Sequence, residues 1–128
     1  MAGTVAQTPA FQRVVQLLQG KQLAAAAREI EQLVTSHPDQ FEPLHLSAVI
    51  AFQSGDRTGA VARLRAALKI LPHHARGLSD LGMMLHATGE LVEAETALLK
   101  ALEFAPDLPG AHLNLGNVLS DLGDKIRA

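Results

Sequence analysis

The chain has 128 residues, with 11 Lys and Arg against 13 Asp and Glu, and that near-neutral balance excludes the basic footprint needed for nucleic acid or an anionic membrane surface. Cysteine is absent, which removes disulfides, thiolate nucleophiles and cysteine zinc sites together. Aromatics are scarce, only four Phe, while alanine and leucine dominate, a composition suited to helices packed closely on one another.

The N-terminus, Met1-Ala2-Gly3-Thr4-Val5-Ala6-Gln7, lacks the basic start and apolar run of a signal peptide. No apolar run approaches a membrane span, so a soluble cytoplasmic protein is expected, with residues 1–7 as a flexible lead. Thr8-Pro9 is a helix start, a capping hydroxyl followed by a proline whose missing N–H costs nothing in the first turn. Phe11, Val14, Val15, Leu17 and Leu18 then recur at helical spacing until Gly20-Lys21 punctuates the chain. A second helix, from about Gln22 to Ser36, stops at His37-Pro38-Asp39.

The same pattern is then repeated. A helix from Glu42 to Gln53 turns at Ser54-Gly55-Asp56 into one from Arg57 to Leu71, closed by Pro72. A helix from Ala75 to Ala87 turns at Thr88-Gly89-Glu90 into one from Leu91 to Ala105, closed by Pro106. A fourth copy starts at Leu108-Pro109 and runs to Leu122, and Gly123-Asp124 predicts another turn into a second helix that Ala128 would pack.

The period can be counted, since 72 − 38 and 106 − 72 both give 34 for the three prolines. Gly55, Gly89 and Gly123 keep this step, as do Ala26, Ala60, Ala94 and Ala128, and Ala48, Gly82 and Gly116. A repeat of this length implies stacked helix pairs. Glycine costs about 1 kcal/mol relative to alanine inside a helix. Gly82 and Gly116 therefore call for close helix packing, with Leu81, Leu85, Leu98 and Leu102 filling the groove around them.

Leu78-x-x-Leu81-Gly82-x-x-Leu85, then Ala94-x-x-x-Leu98, then Pro106, closely resembles the tetratricopeptide repeat, with leucines where that pattern prefers aromatics. The first unit diverges most, with Val14 at the small-residue site and Leu33 where later units have Ala67 and Ala101. The resemblance implies an all-α, right-handed superhelical solenoid of about seven antiparallel helices. Its units would be residues 8–40, 41–74, 75–108 and the first half of a fourth at 109–128.

In this family the first helix of each pair lines a concave groove that takes extended peptides or partner helices. Carried over by phase, the groove residues are Phe11 and Val15, then His45, Val49 and Phe52, then Arg76, Asp80, Met83 and His86, and finally Asn114 and Asn117. Phe52 and Met83 suit apolar anchors. The lysine–asparagine clamp of chaperone-tail binders is not reproduced, since no groove lysine accompanies Asn114 and Asn117. Asn114-Leu115-Gly116-Asn117 also resembles the asparagine-bearing repeats of O-GlcNAc transferase, whose amides hold a substrate backbone.

The implied role is a non-catalytic scaffold for a protein or peptide partner. The alternatives are the N-terminal recognition arm of a larger enzyme such as a glycosyltransferase, and a homo-oligomerisation module, with a homodimer formed through the unfinished C-terminal end. No cofactor is implied, and no nucleic-acid or membrane partner. His73 and His74 are adjacent in a turn, while His45, His86 and His112 have no second histidine or usable carboxylate four residues on along the same helix, so no metal site is expected. Arg57, Arg63, Arg65 and Lys69 on one second helix, and Glu90, Glu93, Glu95 and Glu103 at the next, read as a solvated outer face.

Overall fold

Helix starts and stops follow the punctuation of the sequence closely. The computed structural model describes residues 4–127: a 3₁₀ turn at Val5–Gln7 and helices α1 Pro9–Gln19, α2 Leu23–Ser36, α3 Phe41–Gln53, α4 Arg57–Ile70, α5 Ala75–Ala87, α6 Leu91–Phe104 and α7 Pro109–Arg127. Ala128 lies outside the described residues, and no described helix is long and apolar enough to cross a membrane. The helices fall into two compact units, one ending at Ile70 and one starting at Leu71.

In the first unit α1 packs on α2, α2 on α3, and α3 on α4. Thr8 caps α1 by accepting from the Phe11 N–H at 3.3 Å, and Asp56 Oδ1 caps α4 by accepting from the Gly59 N–H at 3.0 Å. Val14, Ala26, Ile30 and Ile50 form a buried cluster, with Leu17, Leu18, Leu33, Val34 and Leu46 packed against it. Val14 thus fills the site held by Ala48, Gly82 and Gly116 in the later repeats, and Ile30 stands where Leu64 and Leu98 do.

The α3–α4 turn closes on Gly55, whose φ of 95° is left-handed, with the Asp56 N–H donating back to the Ala51 carbonyl at 2.9 Å. One repeat earlier that left-handed place falls on Lys21 (φ 58°), because Gly20 sits one residue too soon. An L-residue there carries a penalty of about 1–2 kcal/mol. Glycine would relieve it at an entropic cost in the unfolded chain of about 0.4–1 kcal/mol. Lys21→Gly is therefore expected to stabilise the chain by about 0.5–1 kcal/mol in urea unfolding, and a loss of stability would contradict the strain.

The expected flexible lead of residues 1–7 is corrected in part. Residues 1–3 lie outside the described residues, but Val5–Gln7 form a turn and Val5 is only 1% exposed. Apolar burial holds it against α1 and α3, while its N–H donates to Gln40 Oε1 at 2.8 Å and its carbonyl accepts from Thr8 Oγ1 at 2.6 Å.

The second unit pairs α5 with α6 and lays α7 against both. Gly89 (φ 83°) repeats the turn of Gly55, with the Glu90 N–H donating to the Leu85 carbonyl at 2.9 Å. Leu78, Met84, Leu85, Ala94, Leu98, Ala101, Ala111 and Val118 are buried. The Leu98 side chain lies directly on Gly82, so that a Cβ there would overlap Leu98 Cγ and sit 2.8 Å from Cδ2.

Two expectations for the last repeat are corrected. Gly116 has nothing within 4 Å of where a Cβ would stand, so no contact among the described residues demands a small side chain there. Nor does the chain turn at Gly123-Asp124; α7 continues to Arg127. Residues 124–126 are exposed, so no burial among the described residues offsets the helical hydrogen bonds that a turn would break.

Candidate peptide-binding surface

The first helices of the repeats, α1, α3, α5 and α7, each turn one side to a core and leave another open, as neighbouring residues show. Val14 is buried beside partly exposed Val15, Ile50 beside Val49, and Met84 beside Met83.

In the first unit Phe11 and Val15 on α1, and His45, Val49 and Phe52 on α3, are all partly exposed. The Arg57 guanidinium sits 5.9 Å from the Phe52 ring centroid, and the His45 ring tilts against Phe41 at 5.1 Å. Arg57 thus borders one face of the Phe52 ring with positive charge.

In the second unit Arg76 is exposed on α5, with Asp80, Met83 and His86 partly exposed. On α7 Asn114 is partly exposed and Asn117 exposed. His86 Nε2 donates to Asp121 Oδ2 at 2.6 Å, which ties the open sides of α5 and α7 together. Apolar groups here stand beside amides, an imidazole and carboxylates, a mixture able to seat side chains while exchanging hydrogen bonds with a peptide backbone.

The other histidines have local tasks. His74 Nδ1 caps α5 by accepting from the Gly77 N–H at 2.9 Å, His112 Nε2 donates to the Pro106 carbonyl at 2.6 Å, and His73 lies 4.5 Å from the Phe104 ring. Among the described residues no three His, Asp or Glu gather as a metal site requires.

Sequence reasoning missed one polar constellation. Arg63 Nη1 on α4 donates to Glu31 Oε1 on α2 and to the buried Ser47 Oγ on α3, each at 2.5 Å, beside a cavity of about 190 Å³ floored by Ile30 and Ile50. The available signal was opposite charge close to one period apart, which places two residues on successive second helices. His86 was a candidate for the groove, but partners for it were sought four residues along one helix rather than 35 along the chain, where Asp121 stands.

Residues 45–109, just over half of the chain, match the family described as Tetratricopeptide repeat. The chain belongs to the tetratricopeptide repeat family. No curated protein matches it. Among solved structures it is similar to the Sgt2 tetratricopeptide repeat domain from Aspergillus fumigatus, at 17% identity and TM-score 0.91, over 99% of this chain and 85% of that one. It is also similar to the first such domain of Spaghetti (RPAP3) bound to the HSP90 peptide SRMEEVD, at 16% and 0.85, over 89% and 90%. A third is the Yersinia enterocolitica type III secretion chaperone SycD in complex with a peptide of the translocator YopD, at 14% and 0.80, over 93% and 96%. At these identities the likeness fixes the fold, an all-α tetratricopeptide repeat solenoid of antiparallel helices.

Proposed function

We propose that the chain is a non-catalytic interaction scaffold whose first helices hold an extended peptide or a partner helix in the concave groove of the repeat fold. One observation carries this reading: Phe52 and Met83 remain partly exposed on helices whose opposite sides are locked into cores. Large apolar side chains on rigid elements bind at little entropic cost. The peptides held by the RPAP3 and SycD domains support the same use of the fold. Asn114 and Asn117 would contribute amides to the partner's backbone, which is the finer likeness to O-GlcNAc transferase repeats.

The test is affinity capture followed by mass spectrometry with wild type, Phe52→Ala, Met83→Ala and the outer-face control Thr58→Ala, all at matched thermal stability. Each groove variant is expected to lower recovery of the same partner by about tenfold, as truncation of an anchor does, and Thr58→Ala to leave it unchanged. Equal recovery from all four would place the site elsewhere. The acidic peptide SRMEEVD is expected not to bind, because α1, α3 and α5 carry no lysine to clamp its carboxylates.

A further inference from the structure

Along α3, Ser47 and Ala51 are small where the repeat elsewhere is large. Leu17 and Leu85 stand one period before and after Ala51, and Leu81 stands one period after Ser47. Leu85 is 1% exposed, so the side chain missing at Ala51 is one that the later repeat buries in full. In the first unit the deficit appears as the cavity of about 190 Å³ between α2, α3 and α4, floored by Ile30 and Ile50 and walled by Ala27 and Ala51.

The two ends of this cavity differ in charge. At one end the Arg63 guanidinium is held by the buried Ser47 Oγ and by Glu31 Oε1, so that cation and carboxylate offset each other. At the other end stand Ser54, the C-cap of α3, and the Asp56 carboxylate. Ser47 and Ser54 are 54 − 47 = 7 positions apart, roughly 10 Å at the rise of a helix. Asp56 Oδ1 accepts from the Gly59 N–H, which fixes the carboxylate in place without cancelling its charge. Of the three charged lining residues, two are paired with each other, so the net charge of the lining is that of one carboxylate.

A cavity of about 150 Å³ with aliphatic and aromatic walls takes benzene. The space over Ile30 and Ile50 therefore suits a group of that size, and the net negative charge at its mouth favours a cation over an anion. We infer that the cavity binds a small apolar amine, with its ring or branched chain over Ile30 and Ile50 and its ammonium at Asp56. A lysine of a partner protein offers the same cation, but its unbranched stem fills such a width poorly and loses more rotamer freedom on binding. The cavity faces α2 and α4 rather than the open side of α3 that carries Val49 and Phe52, so the inference stands independently of the groove reading.

The probe is benzylamine, titrated into the full chain with isotope-labelled isoleucine methyl groups followed by NMR. The Ile30 and Ile50 methyls are expected to shift and saturate with a Kd on the order of 1 mM, while Ile70 and Ile126, the other isoleucines, stay in place. Phenylacetate, the same ring with the opposite charge, and Nα-acetyl-lysine methylamide should each bind about fivefold more weakly or worse. Asp56→Asn keeps a side chain able to cap α4 and should weaken benzylamine about threefold to fivefold, the reach of an exposed ion pair. Ala51→Leu, which restores the side chain found at Leu17 and Leu85, should abolish the shifts with the melting temperature undiminished. Ala51→Val, a smaller filling, should weaken binding and keeps the test open if the leucine variant does not fold.

The inference is overturned if Ile30 and Ile50 do not shift, if they shift as in wild type when Ala51 is enlarged, or if phenylacetate binds as well as benzylamine. Equal binding of the lysine amide overturns it too, since a protein side chain would then be the occupant.

Discussion

Gly82→Leu is expected to destabilise the chain by about 3 kcal/mol, at the upper end of what overpacking costs. Its side chain would enter the volume held by Leu98, which is itself 0% exposed and has nowhere to swing. A double-mutant cycle separates this clash from any general intolerance of the helix. Leu98→Ala alone should cost about 2–5 kcal/mol through the cavity it leaves. Combined with Gly82→Leu it should cost less than the sum by about 1–3 kcal/mol, because the new leucine fills the vacated space. Gly116→Leu, the same change one period later, should lose nothing, since open space receives the side chain and the helix gains propensity. Urea unfolding of the four chains reads all these values, and equal effects at Gly82 and Gly116 would refute the packing account.

Val5→Asp is expected to cost about 2–3 kcal/mol. A lone carboxylate cannot stay where Val5 lies, so the turn undocks, and the loss equals the burial of one valine, about 1.5–3 kcal/mol, together with the Val5–Gln40 hydrogen bond. Gln7→Asp, on an exposed neighbour, should change stability by less than about 0.5 kcal/mol. Were the lead flexible, both substitutions would be silent in thermal melts.

The two outcomes mark where the sequence could be read and where it could not. Helix existence, pairing and the contact at Gly82 were legible because they repeat, and three prolines in step disclose the same backbone need three times. The left-handed residue of the first turn was displaced from Gly20 to Lys21 because turn geometry counts residues from the helix end rather than from the nearest glycine. Docking of Val5 left no periodic trace, since one valine before a capping threonine belongs to no repeat. Gly116 and Gly123 keep the phase of the repeat, yet nothing among the described residues lies within 4 Å of where their Cβ would stand, so phase alone overstated their packing there. At the candidate site, phase picked side chains that stand open on first helices, whereas the His86–Asp121 and Arg63–Ser47 pairings depend on which helices become neighbours. That information lies in tertiary contact rather than in one helix's spacing.

The packing of Leu98 on Gly82 joins residues separated by only 98 − 82 = 16 positions in the chain. Loop closure over so short a span is cheap in entropy. The α5–α6 hairpin can therefore assemble as a local event, with its turn already shaped by the left-handed Gly89. Helical folds built of such short-range contacts fold in roughly microseconds to milliseconds, so Gly82 bears on the speed of folding as well as on the density of the finished packing.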